Sequence, residues 1–407
     1  MKKSLYICYF GLREPLVQTQ VLPYLREIVK DGVEMSLLTF EPVGLTGEQE
    51  KAMRAEMSAM GIKWHWLRYH KWPSVPATAF DILNGTRKVW SLMRKEKFDV
   101  LHGRVHIPTL MGALARKFSK QRPKLLFDIR GFFPEEYTDA GRWPENGWIF
   151  RAAKRIEGWL MKEADGFVVL TERAREILFP ESRETGFDKV GRPVEVIPCC
   201  VDMRRFRATN AESRAAIRRE LGIGERKVIA YVGSFGGWYM TDEMMNIFAA
   251  AREQDSDVFV MILTQREKEK AAERLKAKGF TEKDFHVVSV SPDEIPRYLC
   301  AADISLSFIK ACYSKLSSSP TKIAEYLACG VPIIANRGVG DVDALIEENG
   351  VGVLVEEFST DEYGSALERV AALGDVVERC RITAAREFDL EKVGGERYRR
   401  VYRKLLN

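Results

Sequence analysis

The chain alternates short apolar runs with longer amphipathic stretches from one end to the other. Apolar runs rich in β-branched and aromatic residues predict buried strands, and the amphipathic stretches between them predict helices. This alternation is typical of βα units built around parallel sheets. In the first half, the predicted strands are residues 5–9, 34–39, 63–68, 99–102, 125–129, 166–170 and 194–198.

The second half repeats the pattern after a polar segment at 204–212, which we interpret as a linker. Its predicted strands are residues 227–234, 258–263, 285–288, 304–308, 331–335 and 351–355. A chain of 407 residues is too long for one domain of ordinary size. We therefore predict α/β domains at residues 1–200 and 201–383, followed at 384–407 by an amphipathic helix that packs back on the first domain.

Charge and cysteine usage exclude several classes of protein. The 63 Lys and Arg side chains against 58 Asp and Glu give a net charge of +5, too small for a protein that binds nucleic acid by neutralising phosphates. Seven cysteines without CxxC spacing indicate reduced thiols rather than disulfides or zinc ligands. No apolar stretch reaches the length of a membrane span, so we expect a cytoplasmic protein with at most peripheral membrane contact.

The segment from Phe308 to Ala335 carries the strongest chemical signal. It predicts a strand, a polar loop, and a short apolar helix that begins at Ser319-Pro320 and ends at Gly330. Exposed backbone N–H groups at such a helix start attract anions. Groups that can contact a phosphate or its attached ribose are Lys315, Ser317, Ser318, Ser319, Thr321, Lys322 and Glu325. An ordinary capped helix with a solvated Lys and Glu stays open as the alternative.

Three segments together resemble a known enzyme family. Residues 321–335 read TKIAEYLACGVPIIA, residues 194–206 read VEVIPCCVDMRRF, and residues 338–355 contain ALIEENGVGVLV. These are similar, in the same order, to motifs of the retaining family 4 (group 1) glycosyltransferases of the GT-B fold. The resemblance implies two Rossmann-like, doubly wound parallel-sheet domains facing across a cleft, with a nucleotide-sugar donor on the second domain and an acceptor on the first.

The chain departs from that family in its donor motifs. Glu325 occupies the position that the resemblance assigns to the ribose, but Ser317 stands eight residues earlier, where the family has a second Glu. After strand 227–234 the family's Arg and Lys are absent, and the glycine-rich turn carries Gly233, Ser234, Gly236 and Gly237. We expect the backbone of this turn to approach phosphate and Lys322 and Lys315 to supply the missing charge, while a plain strand-to-helix turn stays open.

Acceptor and catalytic candidates lie after strands of the first domain. The loop after the first strand offers Gly11 and Gln18, and the fourth strand is followed by His102 and Arg104. Arg130 stands where the resemblance implies a catalytic-loop His. Glu135 and Asp139 follow it as groups that can orient or deprotonate an acceptor hydroxyl. Structural ion pairs and core packing remain alternatives for each of these side chains.

Two further segments have two interpretations each. Residues 63–73 read KWHWLRYHKWP and interleave aromatic and basic side chains, which fits either contact with the anionic inner face of a membrane or a buried strand. Asp341-Val-Asp343 resembles a metal-binding DxD motif, but its position at a helix start favours capping, so we predict no metal site.

The resemblance therefore implies a retaining glycosyltransferase, and we expect it to be metal-independent and to need no cofactor. Its substrates are a nucleotide-diphosphate sugar and a glycan or lipid-linked sugar acceptor, in glycan, glycoconjugate or polysaccharide synthesis. A nucleotide-sugar epimerase on the same fold and a catalytically silent nucleotide-sugar-binding protein stay open as alternatives. The absence of a Gly-x-Gly-x-x-Gly motif after the first strand argues against a dehydrogenase.

Overall fold

The protein, described by a computed structural model over residues 2–207 and 209–407, divides into two compact units. The first comprises Met1–Pro198 and Glu391–Asn407, and the second comprises Cys199–Leu390. The end predicted for the second domain, residue 383, lies inside a helix that runs Val376–Phe388. A helix packed along its length does not divide between two units, so the second unit extends beyond the predicted boundary.

A parallel sheet of seven strands forms the centre of the first unit, in the order β3-β2-β1-β4-β5-β6-β7. The strands are β1 (Lys3–Ile7), β2 (Glu34–Glu41), β3 (Ile62–Arg68), β4 (Val100–Arg104), β5 (Lys124–Asp128), β6 (Gly166–Val169) and β7 (Val194–Val196). The helices between them are α1 (Pro15–Gln20), α2 (Leu22–Val29), α3 (Gly47–Ala59), α4 (Ser74–Lys95), α5 (His106–Lys117), α6 (Phe133–Asp139), α7 (Trp148–Glu163), α8 (Glu172–Leu178) and α9 (Ser182–Thr185).

The second unit has a parallel sheet of six strands, in the order β10-β9-β8-β11-β12-β13. Its strands are β8 (Val228–Val232), β9 (Phe259–Leu263), β10 (Phe285–Val288), β11 (Ile304–Ser307), β12 (Ile333–Asn336) and β13 (Gly352–Val355). Its helices are α10 (Ala211–Glu220), α11 (Thr241–Gln254), α12 (Lys268–Ala277), α13 (Ile295–Leu299), α14 (Thr321–Ala328), α15 (Val342–Asn349), α16 (Thr360–Ala371) and α17 (Val376–Phe388). The last helix of the chain, α18 (Glu396–Leu406), belongs to the first unit.

Local chemistry explains several element ends. Gly32 and Gly330, which lie in the turns that follow α2 and α14, both adopt a positive φ of +79°, where only glycine is unstrained. Helices α1 and α2 are separated at Val21, because Pro23 has no N–H with which to continue the hydrogen-bonding ladder from α1. The segment 204–212 is not a plain linker. It contains most of the 3₁₀ turn Met203–Phe206 and the start of α10, whose Asn210 cap bonds the backbone of Ser213.

Each sheet reverses its strand order at one place. In the first unit, β2 and β3 are added on one side of β1, and the later strands are added on the opposite side, beginning with β4. In the second unit the same reversal lies between β8 and β11. Open parallel sheets bind ligands outside the carboxyl ends of strands at such a reversal, because the connecting helices diverge there. The loops after β1, β4, β8 and β11 are therefore the places to look for a site. The predicted fold class, two doubly wound α/β domains, is confirmed.

Candidate functional site

In the second unit, a glycine-rich turn follows β8 at the point of strand reversal. Gly233 has a φ of +139°. A Cβ at this position would lie 2.9 Å from Lys322 Nζ and 3.1 Å from the Tyr231 hydroxyl. Gly236 and Gly237 also have positive φ, and the Gly236 N–H donates to Thr241 Oγ1 over 2.9 Å. The turn therefore requires glycine for both backbone shape and close approach.

Lys322 lies in the first turn of α14, and its ammonium group is directed beneath this glycine turn. The side chain is buried, with Nζ 4.1 Å from the centroid of the Tyr231 ring and 4.2 Å from that of Tyr239. Among the described residues, no hydrogen-bond acceptor lies within reach of Nζ. Burial lowers the pKa of Lys322 to about 7, although the nearby Glu325 carboxylate raises it. Two aromatic faces are a weak substitute for hydrogen bonds, so this cation is poised for an anion.

Glu325 lies one turn further along α14 and is also buried. Burial raises its pKa to about 7, while the charges of Arg205 and Lys322 act in the opposite direction. Arg205 is held by its own contacts, a hydrogen bond to the Pro292 carbonyl and an ion pair with Asp293. The site thus contains a carboxyl group and an ammonium group whose protonation states both change near neutral pH.

The start of α14 differs from the prediction. The sequence predicts a helix that begins at Ser319-Pro320, whereas α14 begins at Thr321 with Pro320 as the N-cap residue and no side-chain cap. The Ser319 hydroxyl instead accepts a hydrogen bond from the Cys199 N–H over 3.0 Å, and the Ser317 hydroxyl donates to the Ser314 carbonyl over 2.7 Å. The first N–H groups of α14 are consequently not satisfied by a capping side chain, which leaves them suited to an external acceptor.

Lys315 and the remaining donor candidates surround the same loop. Lys315 is buried, with Nζ 4.0 Å from the centroid of the Trp238 ring, and its carbonyl accepts from Gly340 N–H. Ser318 and Thr321 are partly buried on either side of Ser319-Pro320. Ser234 accepts a hydrogen bond from the Tyr231 hydroxyl through its carbonyl. Both predicted lysines therefore stand against aromatic rings of the segment that follows β8.

The loop after β1 in the first unit is fixed by its own contacts. A Cβ at Gly11 would lie 2.8 Å from Pro42 Cδ and 2.9 Å from Glu41 Oε2. Gln18 donates its amide to the Leu12 carbonyl over 2.7 Å, and Leu12 N–H donates to Glu41. Gln18 was predicted to contact the acceptor, but its amide N–H is engaged in holding this loop. Gly11 is needed here because the chain packs against Glu41 and Pro42.

A buried polar cluster of the first unit surrounds Asp128, at the end of β5. His102 is fully buried, with Nδ1 3.0 Å from the Tyr402 hydroxyl and Nε2 3.6 Å from Asp128. Tyr398 donates its hydroxyl to Asp128 Oδ2 over 2.8 Å. Burial lowers the pKa of His102, which favours the neutral imidazole, although the Asp128 carboxylate acts in the opposite direction. His102, predicted to contact the acceptor, is therefore a core residue that joins β4 to the C-terminal helix.

Arg104 and Arg130 both approach the Asp128 carboxylate, at 3.8 Å each. Arg104 also donates to the Gln20 carbonyl over 3.2 Å, and its Nε has no acceptor among the described residues. Burial alone would raise the pKa of Asp128, but Arg130, His102 and Arg104 lower it to about 2. Two guanidinium groups thus share one permanently ionised carboxylate at the carboxyl edge of the sheet.

The acids after Arg130 lie on and beside α6. Glu135 forms an ion pair with Lys154 over 2.8 Å, and Lys154 also contacts Glu157. Glu157 in turn lies 2.9 Å from His106 Nε2. Asp139 is partly exposed at the last residue of α6. Glu135 is therefore part of an ion-pair chain, and its catalytic role, like that of Asp139, stays a prediction.

Several residues at these sites were not found from the sequence. Tyr231 and Tyr239 enclose Lys322, but a tyrosine in an apolar strand is indistinguishable from an ordinary core residue. Tyr9, His70 and Asp81 form another group: buried Asp81 accepts from the Tyr9 hydroxyl over 2.8 Å and lies 2.6 Å from His70 Nδ1. These three residues are far apart in the chain, so no sequence pattern connects them. They meet because α4, which carries Asp81, lies beside the end of β1 in the folded unit.

The structure shows where the residues of the two ambiguous segments, 63–73 and 341–343, lie. Trp64 is buried on β3 and donates to Thr39 Oγ1 over 2.9 Å, whereas Trp72, beyond the strand, is 85% exposed. Asp341 is the N-cap residue of α15, and Asp343 accepts from the Gly338 N–H over 3.1 Å. Within the described residues, no group of three or more His, Cys, Asp or Glu side chains is arranged to hold a metal ion. Among the described residues, none of the helices has the length and apolar composition of a membrane span.

Comparison with known proteins identifies both halves of the chain. The family model described as Glycosyltransferase Family 4 matches residues 17–205, and that described as Glycosyl transferases group 1 matches residues 213–387. Two curated relatives come from Streptomyces kanamyceticus. An alpha-D-kanosaminyltransferase is 24% identical over 69% of this chain, and a 2-deoxystreptamine glucosyltransferase is 25% identical over 53%. The chain spans 65% and 53% of the length of these relatives.

Solved structures show the same architecture over the whole chain. Anabaena HepE, crystallised with UDP and glucose, superposes with a TM-score of 0.68 at 15% identity and covers 99% of this chain and 100% of its own. A glycosyltransferase from Rickettsia africae superposes with a TM-score of 0.72 at 15% identity, covering 100% and 99%. With both family models matched in order on two doubly wound parallel-sheet domains, the chain belongs to the group 1 glycosyltransferases of the GT-B fold.

Proposed function

We propose that the protein transfers a sugar from a nucleotide-diphosphate sugar to an acceptor hydroxyl, with retention of configuration. The observation that carries this proposal is the buried Lys322, which has no hydrogen-bond acceptor among the described residues and lies against the glycine turn at the strand reversal. A buried cation without an acceptor is costly, and a diphosphate is a ligand that removes this cost. The family and the glycosyltransferase names of its curated relatives support the same reaction.

All residues of the proposed donor site lie in the second unit. The diphosphate contacts the turn at Gly233, the first N–H groups of α14 and the Lys322 ammonium group. Lys315 supplies a second charge from the other side of the loop, in place of the Arg and Lys that the family usually has after β8. Glu325 accepts hydrogen bonds from the ribose hydroxyls when ionised. The presence of UDP and glucose in crystalline HepE supports a nucleotide sugar as donor.

The chemistry needs charge stabilisation more than a protein nucleophile. As the glycosidic bond to phosphate breaks, negative charge develops on the diphosphate, and fixed cations lower the barrier. On the retaining path proposed here, the departing phosphate accepts the proton of the acceptor hydroxyl on the same face of the sugar. We propose that this reaction requires no cofactor and no essential metal, and that the acceptor is a glycan or lipid-linked sugar bound by the first unit in glycan or polysaccharide assembly.

Thermal unfolding with nucleotide diphosphates and their sugars tests the donor site. The true donor class should raise the melting temperature by mass action. Lys322→Ala and Glu325→Ala should each weaken donor binding about 10–100-fold, the effect of losing a charge-assisted hydrogen bond. Lys227→Ala and Glu225→Gln are matched controls, because both side chains are exposed just before β8, at the opposite edge of the sheet.

The assignment to a transferase has its own test. Radiolabelled donor is incubated with a broad panel of sugar acceptors, and transfer should depend on acceptor and disappear in Lys322→Ala. Conversion of donor to an isomer without any acceptor would instead identify an epimerase. Donor binding with no turnover across the panel would identify a silent binding protein. Full activity in both site variants would show that the donor site is elsewhere.

A further inference from the structure

An exposed apolar surface lies on the first unit, where the loop after β3 enters α4. Trp72 is 85% exposed, Leu83 68%, Phe80 54% and Val75 49%. On a helix of 3.6 residues per turn, Val75, Phe80 and Leu83 lie on one side of α4, opposite the buried Ala77, Asp81 and Gly85. Isolated exposed apolar residues are ordinary, but four within twelve positions form a patch that favours a partner.

This patch is held on an ordered scaffold. The buried Asp81 carboxylate accepts from the His70 N–H over 2.9 Å, from the Tyr9 hydroxyl over 2.8 Å, and lies 2.6 Å from His70 Nδ1. The His70 ring stands edge-on to Phe80, with centroids 5.1 Å apart. The loop that carries Trp72 is therefore fastened to the helix that carries Phe80 and Leu83. Their apolar side chains are displayed in a fixed arrangement.

The same side of α4 becomes basic toward its C-terminus. Arg87 and Arg94 continue the face of Phe80 and Leu83, and Arg94 lies over the Trp90 ring. The Trp90 indole donates to the carbonyl of Phe118, which is 72% exposed beside Lys117 and Lys120. From Lys71 to Lys95 the only acidic residue is Asp81, which is buried. Along α4 the exposed apolar side chains are thus followed by exposed arginines. This combination complements a surface with an apolar interior and an anionic exterior.

We propose that this docking surface, formed by Trp72, Val75, Phe80, Leu83, Arg87 and Arg94, binds the anionic face of a lipid bilayer. The apolar side chains enter the boundary between headgroups and acyl chains, and the arginines pair with lipid phosphates. Through Asp81 and Tyr9 the surface adjoins the carboxyl end of β1, where the loops of the first unit gather. Binding to a lipid surface is a property separate from glycosyl transfer, and it can be measured without donor, acceptor or turnover.

The experiment is co-sedimentation of the full chain with vesicles of phosphatidylcholine, with and without phosphatidylglycerol. The wild type should bind the anionic vesicles and lose binding as salt rises, because screening weakens the arginine contacts. The triple variant Trp72→Ser/Phe80→Ser/Leu83→Ser should bind at least about tenfold more weakly, and Arg87→Glu/Arg94→Glu should lose the preference for anionic lipid. Brominated acyl chains should quench tryptophan fluorescence in the wild type and less in Trp72→Phe.

Matched controls separate this surface from general stickiness. Val190→Ser/Ile382→Ser removes exposed apolar side chains elsewhere, and Lys189→Glu/Lys227→Glu reverses exposed charges elsewhere. Both controls should bind vesicles like the wild type, and all variants should keep the wild-type melting temperature. The proposal is overturned if the wild type ignores anionic vesicles or if the triple variant binds them normally. It is also overturned if the triple variant changes only the sedimentation mass, which would identify contact between copies.

Discussion

Lys322 and Glu325 show at the residue scale how burial sets up the donor site. Both side chains are buried one turn apart on α14, and burial lowers the pKa of the lysine and raises that of the glutamate, each to about 7. Desolvation penalises the charged form of either group, so the two ordinary values of 10.5 and 4.5 move toward each other. A bound diphosphate would favour the protonated, charged form of Lys322. Glu325 must be ionised to accept hydrogen bonds from both ribose hydroxyls.

These pKa shifts predict how stability depends on pH. Between pH 4.5 and about 7 the folded protein keeps a proton on Glu325 that the unfolded chain releases, so its contribution to stability falls as pH rises. Between about 7 and 10.5 the folded protein has released the Lys322 proton that the unfolded chain keeps, so stability rises with pH. Glu325→Gln should flatten the acid limb of the curve and Lys322→Met the alkaline limb, as measured by urea denaturation across this range.

Lys322→Met has a further expected effect at neutral pH. Removing a buried donor without an acceptor should raise the free energy of unfolding by about 1–3 kcal/mol. Lys227→Met and Glu225→Gln should leave the whole pH curve unchanged, since both side chains are exposed. An alkaline limb that persists in Lys322→Met would show that another group titrates there.

Among the elements of the first unit, the C-terminal helix α18 supplies hydrogen-bond partners to buried polar groups of the sheet. The Tyr402 hydroxyl lies 2.9 Å from Ser4 Oγ and 3.0 Å from His102 Nδ1, and the Tyr398 hydroxyl donates to Asp128. One helix from the end of the chain thus supplies partners to β1, β4 and β5. The strand residues alone would leave several polar groups buried without hydrogen bonds.

Tyr398→Phe and Tyr402→Phe should therefore destabilise the first unit. Each loses a buried hydrogen bond, at a cost of about 1–3 kcal/mol, and the double variant should be non-additive because both hydroxyls act on one cluster. Hydrogen exchange should speed up in β1, β4 and β5 but not in the second unit. Tyr298→Phe, at a buried ring of the second unit, is the control. Unchanged exchange in all three strands would contradict the structural role of the hydroxyls.

At the scale of the whole molecule, the two units divide the candidate residues between them. Every predicted donor residue lies in Cys199–Leu390, a unit with its own sheet and core. A fragment of these residues should fold alone, because a domain of this size buries enough apolar surface. It should also bind the nucleotide diphosphate within about threefold of the full chain, a difference below 1 kcal/mol. Calorimetry checks this, and a folded fragment without affinity would place part of the donor site in the first unit.

The spacing of apolar runs along the chain was enough to predict the two-sheet architecture. The thirteen strands of the described residues all end within two residues of their predicted bounds. Most of them are buried on both faces and therefore stand out as short apolar runs between polar segments. The turn at Gly330 and the motif around Glu325 were equally readable, since backbone shape and helix periodicity are local properties.

Tertiary structure alone decided what each polar side chain of the motifs does. The sequence predicts acceptor contacts for His102 and Gln18. In the structure His102 is fully buried beside Tyr402, and Gln18 donates to the Leu12 carbonyl, so its acceptor contact stays a prediction. From the sequence, Lys322 could equally be a solvated side chain of an ordinary helix. In the structure, the rings of Tyr231 and Tyr239 enclose its ammonium group. These partners come from distant segments of the chain. The charge state and direction of a side chain depend on burial and neighbours, which local pattern does not encode.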